Sequence, residues 1–343
     1  MKARAQFSKN LSEPLFRQLM AYIEDQIRCG AFSPDKPLPS LNAMAIQTGL
    51  SKETVIKAYA HLCKEGVLNS LPGKGYFVRE GYLSGKPSLF VLMDKLSLHQ
   101  QDIMGGIMEE LSGRADITIR MHYQDIGQFE SELGKALDRY DWYLVFPHFS
   151  IDKVTQEKAA RLLGTIPPEK LIIVDRLIDG VPQTAGASYQ SIEQDIPAML
   201  EPVLDDIRKY GCLRYISLSV SLYGDLVAQT IRKFGDEHSV PVDILKEVPS
   251  AIGEKDLFFV SGSRLDRRLS ELIRNMSASG LAIGTDVGLI CYNDFPLNEF
   301  ILGGLTTLST DFLQMGRTAA QMILSGKVSK VHCPCSLIRR NTF

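Results

Sequence analysis

Two short clusters near the N-terminus hold residue types that could do chemistry on a nucleic acid. Ser51-Lys52-Glu53-Thr54 puts two hydroxyls, a cation and a carboxylate at the start of a helix, with Lys57 a turn further on. Gly73-Lys74-Gly75 puts a lysine between two glycines, where the backbone can approach a groove closely. Cations and hydroxyls position a protein on phosphates, and a carboxylate such as Glu53 can accept from cytosine N4. Other signals point away from catalysis or metal binding. His332-Cys333-Pro334-Cys335 has Cys-x-Cys spacing with no second pair, unlike a structural zinc site. Lys74 lies outside any Gly-x-x-x-x-Gly-Lys-Ser/Thr frame. With no Ser/His/Asp elbow, no His-Glu-x-x-His and no internal repeat, we expect neither an enzyme nor a bound cofactor or metal.

The elements that must position these residues follow from periodicity. Leu15, Leu19, Tyr22, Ile23 and Ile27 make one apolar face of a helix over about 14–29, stopped by Gly30. Ser40 caps a second helix with Leu41, Met44, Ala45 and Ile46, ending near Thr48-Gly49. Ser51 caps a third, with Val55, Tyr59 and Leu62 inward and Lys52, Glu53, Ile56 and Lys57 outward. After Gly66 come two β runs, 67–71 and 76–78, joined by Pro72-Gly73-Lys74-Gly75. Three helices and a hairpin make a winged helix-turn-helix, whose recognition helix enters the major groove with its first residues on DNA.

Beyond the Gly/Ser/Pro-containing stretch 79–88, apolar runs alternate with helical stretches. Strands are expected at 89–93, 116–121, 142–146, 171–174, 215–220, 257–260 and 287–291. Helices are expected at 101–113, 128–138, 192–209, 226–238, 266–279 and 312–324. Repeated βα units imply parallel sheets covered by helices.

The 343 residues suffice for two or three domains. The net charge of −2 hides an asymmetry: residues 1–80 hold 11 Lys+Arg and 7 Asp+Glu, a net of +4, which leaves −6 for the remainder. A basic head on an acidic body suits a protein that presents one end to phosphate. The N-terminus, Met-Lys-Ala-Arg-Ala-Gln, shows no secretion signal, and no run is apolar enough to cross a membrane. Six scattered cysteines fit a reducing cytoplasm.

The order Pro14-Leu15-Phe16, Leu38-Pro39-Ser40, Ser51-Lys52-Glu53-Thr54-Val55, Tyr59, Leu62, Glu65-Gly66-Val67-Leu68 and Gly73-Lys74-Gly75-Tyr76-Phe77-Val78 resembles the DNA-binding domain of the GntR family of bacterial transcription regulators. The resemblance implies that Lys52 meets a phosphate or base edge and that Thr54 bonds a phosphate. Ser40, Asn42, Ser51, Glu53, Lys57, Gly73, Lys74 and Gly75 complete the implied DNA-binding set. Asn42 stands where that family commonly has Arg.

The tail, Gly280-Leu281-Ala282-Ile283-Gly284-Thr285-Asp286-Val287-Gly288 through Tyr292-Asn293-Asp294, then Leu305-Thr306-Thr307-Leu308 and Phe312 to Leu324, looks like the effector domain of the lactose-repressor family. That domain is similar to periplasmic sugar-binding proteins. Asp141-Trp142-Tyr143-Leu144-Val145 and Val174-Asp175-Arg176 extend the likeness. It implies two Rossmann-like lobes joined by three crossings, with ligand between them at strand ends. On that basis Asp94, His148, Asp175, Arg176, Tyr223 and Asn293 are the ligand-binding candidates. Two features of the family are missing: a ligand-gripping Arg near Asp225-Leu226, and an Asn-Asp pair, where Gly262-Ser263 stands.

The expected architecture is thus an α/β chain: a winged helix-turn-helix over 1–80, a linker over 81–88, and a two-lobed domain of periplasmic-binding-protein type over 89–343 with parallel sheets. The expected function is a ligand-responsive repressor that binds operator DNA as a homodimer and senses a sugar or sugar derivative. The alternative is a sugar-binding or sugar-metabolising protein whose head is a protein-interaction module.

Overall fold

In the computed structural model, the described residues are Phe7, 13–181, 185–217, 222–261 and 267–343. The head consists of α1 (Leu15–Arg28), α2 (Leu41–Thr48), α3 (Lys52–Lys64) and the antiparallel hairpin β1 (Leu68–Leu71) and β2 (Gly75–Val78). Its boundaries are set by local chemistry. Ser40 Oγ accepts from Ala43 N and Ser51 Oγ from Thr54 N, both at 3.2 Å, and Gly49 closes α2 at a φ of 72°. The inward faces form one core of Leu19, Ile23, Ile27, Met44, Val55, Tyr59 and Leu62. Tyr59 donates its buried hydroxyl to Pro39 O at 2.9 Å, so the polar tip is satisfied.

The remainder runs β3 (Ser88–Met93), α4 (Leu98–Leu111), β4 (Asp116–Met121), α5 (Ile126–Ala136), β5 (Trp142–Val145), α6 (Lys153–Leu163), β6 (Leu171–Asp175), β7 (Gly186–Tyr189), α7 (Ile192–Leu200) and α8 (Leu204–Ile207). It continues with β8 (Cys212–Ser217), α9 (Gly224–His238), β9 (Val242–Leu245), β10 (Asp256–Ser261), α10 (Arg267–Ala278), β11 (Gly288–Tyr292), β12 (Thr306–Thr310), α11 (Phe312–Ser325), β13 (Lys330–His332) and β14 (Cys335–Ile338). Two six-stranded sheets result, ordered β13-β7-β6-β5-β3-β4 and β14-β12-β11-β10-β8-β9. In the second, only the β12–β14 pair is antiparallel among the pairings β8–β9, β8–β10, β10–β11, β11–β12 and β12–β14. The chain passes between the sheets after β7, after β12 and after β13, which gives the three expected crossings.

Two compact units divide the chain: Met1–Leu92 with Leu111–Met121 and Gln128–Leu144, and Met93–Glu110 with His122–Gly127 and Val145–Phe343. In the second unit, strands buried on both faces, such as β6 and β10, carry unbroken apolar runs, as parallel strands between helices do. Ile192, Leu213, Tyr215, Ile231, Phe234, Leu257 and Phe259 form one cluster, and Ile216, Phe258, Val260, Leu272, Met276 and Leu289 another. Alternate residues of β8 and β10 thus fall into different clusters, as the two-residue strand period requires.

Several elements differ from the sequence reading. The single helix expected at 192–209 is two helices separated by a tight turn at Glu201–Val203; Pro202 there offers no N–H to continue the ladder. β8 begins at Cys212 rather than 215, and residues 218–220 of the expected strand lie outside the described residues, as does Asp266 at the start of the expected helix. The structure adds α6, β7, β9, β13 and β14. β9, β13 and β14 are sheet margins without a full apolar run, β7 reads Gly-Ala-Ser-Tyr, and α6 buries only Ala159 and Leu163.

Glycines allow α4 and α11 to touch. A Cβ on Gly316 would lie 2.0 Å from Ile103 O, and one on Gly106 would lie 2.1 Å from Leu313 O. Neither obstacle is a flexible side chain. We expect Gly316→Ala to destabilise the fold by about 1–3 kcal/mol through overpacking. Urea denaturation checks this, and an unchanged midpoint would show that the two helices can part freely.

Candidate DNA interface and effector site

The exposed surface of the head carries the residues read from sequence. Lys52, Glu53, Lys57, Ser40, Asn42, Ser51 and the 73–75 turn are exposed, and Thr54 is half-buried. The start of α3 is polar by construction: Ser51 Oγ lies 3.0 Å from Thr54 Oγ1 as well as accepting its N–H. The Glu53 carboxyl is held below its ordinary value, first by the backbone N–H at the helix start and then by Ser51. Lys57 Nζ sits 4.2 Å above the Phe16 ring, which fixes that cation on the α1 side.

The wing is engaged within its own unit. Lys74 Nζ donates to Gly134 O at 2.7 Å and Asn69 Nδ2 to Asp138 O at 2.9 Å, both at the C-terminal end of α5, where unpaired carbonyls attract donors. Arg139 donates to Pro34 O at 2.6 Å and pairs with Glu80 at 2.7 Å, and its guanidinium lies 5.6 Å from the Phe77 ring.

In the second unit, the strand ends gather a different chemistry. Asp94 follows β3, His148 follows β5, and Asp175 ends β6. All three are buried. His148 Nδ1 lies 3.1 Å from Asp94 Oδ1, and its Nε2 lies 3.0 Å from Asp175 Oδ2. The second contact is an ion pair without hydrogen-bond alignment. Gln100 Nε2 also donates to Asp94 Oδ1, and Gln124 Nε2 to Oδ2 at 3.0 Å. Gln190 Nε2 donates to Asp175 Oδ1 at 2.5 Å. Gln190 Oε1 in turn accepts from Tyr292 at 3.1 Å and from Thr310 at 3.2 Å, so this residue joins β7 to the second sheet.

Burial opposes charge on His148, but the Asp175 and Asp94 carboxylates outweigh it and push the imidazole up to about 9. Burial likewise opposes ionisation of Asp175, and His148 reverses it, so that carboxyl lies well below its usual range. Asp94 is lowered too, against burial, chiefly by His148. His99, whose Nε2 is 4.0 Å from Asp175 Oδ2, moves the other way: burial lowers it more than Asp175 raises it.

The structure therefore brings Asp94, His148 and Asp175 into one ionic cluster. It stacks the Arg176 guanidinium on Tyr223, with Cζ 4.2 Å from the ring centroid, and sets His148 edge-on to the same ring at 5.9 Å. Asn293 follows β11, and its backbone N–H donates to Leu308 O at 2.7 Å. Asp175 and Asn293 share a left-handed backbone, with φ of 77° and 71°. Such residues cluster at ligand sites. Gly262 and Ser263 lie outside the described residues.

Sequence reasoning missed Gln100, Gln124, Gln190 and Tyr292, which carry no motif; their common signal is proximity to a strand end. Asp294 is structural: Arg340 grips it through both terminal nitrogens at 2.9 Å, and its carboxyl falls to about 2 because that pairing outweighs burial. His332 pairs with Asp195 at 2.8 Å and stacks on Tyr189, while Cys333 lies beside Ser188. Among the described residues, no group of three or more His, Cys, Asp or Glu could hold a metal, and no helix is long and apolar enough to cross a membrane.

A winged helix-turn-helix joined to a two-lobed, mainly parallel α/β body is the architecture of a DNA-binding head on a periplasmic-binding-protein-like domain. The comparisons agree: residues 15–78 match the model for bacterial regulatory proteins of the gntR family, and residues 258–343 match the periplasmic binding protein-like domain. The chain thus carries a gntR-type helix-turn-helix domain at its N-terminus and a periplasmic binding protein-like domain at its C-terminal end.

Among curated relatives, it is 36% identical over 90 residues to the HTH-type transcriptional repressor NagR of Bacillus subtilis (strain 168), covering 26% of this chain and 35% of that protein. It is 35% identical over 68 residues to the mannosyl-D-glycerate transport/metabolism system repressor MngR of Escherichia coli (strain K12), covering 20% of this chain and 28% of that protein. The match spans about a third of the length of these relatives.

Among solved structures, the Lac repressor bound to ONPG in its repressed state superposes with a TM-score of 0.57 at 15% identity, over 85% of this chain and 90% of that one. A LacI family transcriptional regulator from Lactobacillus casei with bound sucrose gives 0.55 at 15% identity, over 75% and 99%. At these identities the likeness is one of fold.

The charge cluster makes stability depend on pH. His148 is raised from an ordinary 6.5, so its contribution is complete below pH 6.5 and is lost as pH climbs toward about 9. The two carboxylates are lowered from 3.8, so their contribution is present above that value and is lost on acidification. His148→Ala leaves two buried carboxylates without their cation, which we expect to cost about 3–5 kcal/mol at pH 6. It should also flatten the loss between pH 6.5 and 9. Denaturation at a series of pH values compares the two proteins, and parallel profiles would show that His148 is not charged in the fold.

Proposed function

We propose that this chain is a transcription regulator, a repressor, which binds operator DNA as a homodimer and responds to a small sugar-like effector held at the strand ends of its two-lobed domain. The domain layout proposed is 1–80 as the DNA-binding head, 81–88 as linker and 89–343 as effector and dimerisation domain. One observation carries the reading: a gntR-type head and a periplasmic binding protein-like body stand in the same chain. NagR and MngR are repressors by name, and the Lactobacillus casei regulator was solved with sucrose. The six cysteines, all among the described residues, form no disulfide, which supports a cytoplasmic setting.

In this reading the N-terminal end of α3 enters the major groove. Lys52 and Thr54 serve phosphate or base edges, and Ser40, Asn42, Ser51, Glu53 and Lys57 flank them. The Gly73-Lys74-Gly75 tip reaches a neighbouring groove. Lys74 must then exchange the Gly134 carbonyl for a phosphate. Asp94, His148, Asp175, Arg176, Tyr223 and Asn293 build the effector site, with Gln100, Gln124 and Gln190 holding the acids in place. A ligand can alter DNA binding only through its differential affinity for the DNA-competent and incompetent states.

The full-length protein should shift DNA from upstream of its own gene, with a preference for a palindrome. Lys74→Ala should weaken binding to all sequences and lower the salt slope by about one. Lys52→Ala should weaken specific binding more than non-specific binding. Fluorescence anisotropy over a salt series reads both. If neither substitution alters affinity, the docking is wrong; a protein that stays monomeric on its operator defeats the dimer.

A further inference from the structure

The hydrogen-bonding capacity of the strand-end cluster is unevenly used. Every carboxylate oxygen already faces a donor within the protein. Asp94 Oδ1 takes Gln100 and His148, and Oδ2 takes Gln124. Asp175 Oδ1 takes Gln190, and Oδ2 faces His148. These acids are already engaged in holding His148 and the glutamines.

Arg176 is in the opposite condition. Arg176 Nη1 is buried and has no hydrogen-bond partner among the described residues. Arg176 also makes no ion pair among them; what faces its guanidinium is the Tyr223 ring, 4.2 Å away. His148 Nε2, by contrast, lies 3.0 Å from Asp175 Oδ2, and its ring is T-shaped to the Tyr223 ring at 5.9 Å. A guanidinium is always charged, and a buried cationic N–H without an acceptor is costly. Its preferred partners are planar carboxylates and phosphates, which it can grip through two nitrogens.

We propose that the effector bears an anionic group, a carboxylate or a phosphate, that docks on Arg176 over the Tyr223 ring beside His148. Sugar acids and sugar phosphates share this chemistry. Arg176 follows β6 of one sheet and Tyr223 precedes α9, which packs on the other, so the anion would engage residues of both lobes. The proposal rests on the reading that this cluster is the effector site.

Titration calorimetry and thermal shift on the full-length protein at fixed ionic strength test it. The probes are D-glucuronate, D-galacturonate and glucose 6-phosphate, with D-glucose and D-galactose as neutral partners. An anionic probe should bind at least tenfold more tightly than its neutral partner. Whether a uronate or the phosphate ester binds identifies the anion. Arg176→Met should erase the preference and Arg176→Lys should keep part of it, with circular dichroism verifying that each variant is folded. Equal binding of charged and neutral partners, no binding of any charged probe, or a preference that survives in Arg176→Met would each overturn the inference. If a neutral sugar binds and Tyr223→Ala removes it, the effector-site reading stands while the anion falls. If neither neutral nor charged sugars bind, that reading loses its support as well.

Discussion

The chain places one cation between two acids at the heart of its larger unit. His148 stands between Asp94 and Asp175, so three strand ends are tied at one point by charge. Each of these groups alone would pay heavily for burial. Together they keep their charges because the imidazolium and the two carboxylates offset one another, and Gln100, Gln124 and Gln190 complete the bonding of the carboxylates. The glutamines are therefore part of the electrostatics. Gln190 extends the network to Tyr292 and Thr310, so the polar connection runs from one sheet to the other.

This arrangement changes how the ligand candidates relate to one another. Asp94, His148 and Asp175 form a rigid base whose polar atoms are largely paired internally. Arg176 and Tyr223 form a stacked pair in which Arg176 Nη1 is buried with no hydrogen-bond partner among the described residues. The left-handed backbones of Asp175 and Asn293 turn the chain sharply just where β6 and β11 end. Asp and Asn tolerate that conformation better than most residues. Asp294, next in the chain, is held by Arg340, Asn298 and Thr307, which fixes the end of β11 from behind.

The smaller unit follows different physics. The head folds around an ordinary apolar core, and its polar surface is left for contact. The base of its wing is buried in that core through Leu68 and Val78, while the polar tip is tied through Lys74 and Asn69. Exposed polar contacts of this kind are individually weak. The Lys74 contact at the wing tip can therefore be exchanged for a competing acceptor at modest cost.

The head was legible in the sequence because its determinants are local. Ser40 and Ser51 cap helices within three residues of themselves, Gly49 and Gly66 end elements by their own backbone freedom, and Val55, Tyr59 and Leu62 mark a face by spacing. The buried parallel strands were legible as apolar runs, and the three crossings came with the resemblance of the tail. The marginal strands β9, β13 and β14 were not, since a sheet edge is defined by its neighbour and not by its own pattern. The pairing of Asp94, His148 and Asp175 was likewise decided by tertiary structure, as were the roles of Gln100, Gln124 and Gln190. Whether an imidazole is charged, or a lysine faces Gly134 O rather than solvent, depends on distances of a few ångströms and on local burial. Residues far apart in the chain acquire those only when the sheets form.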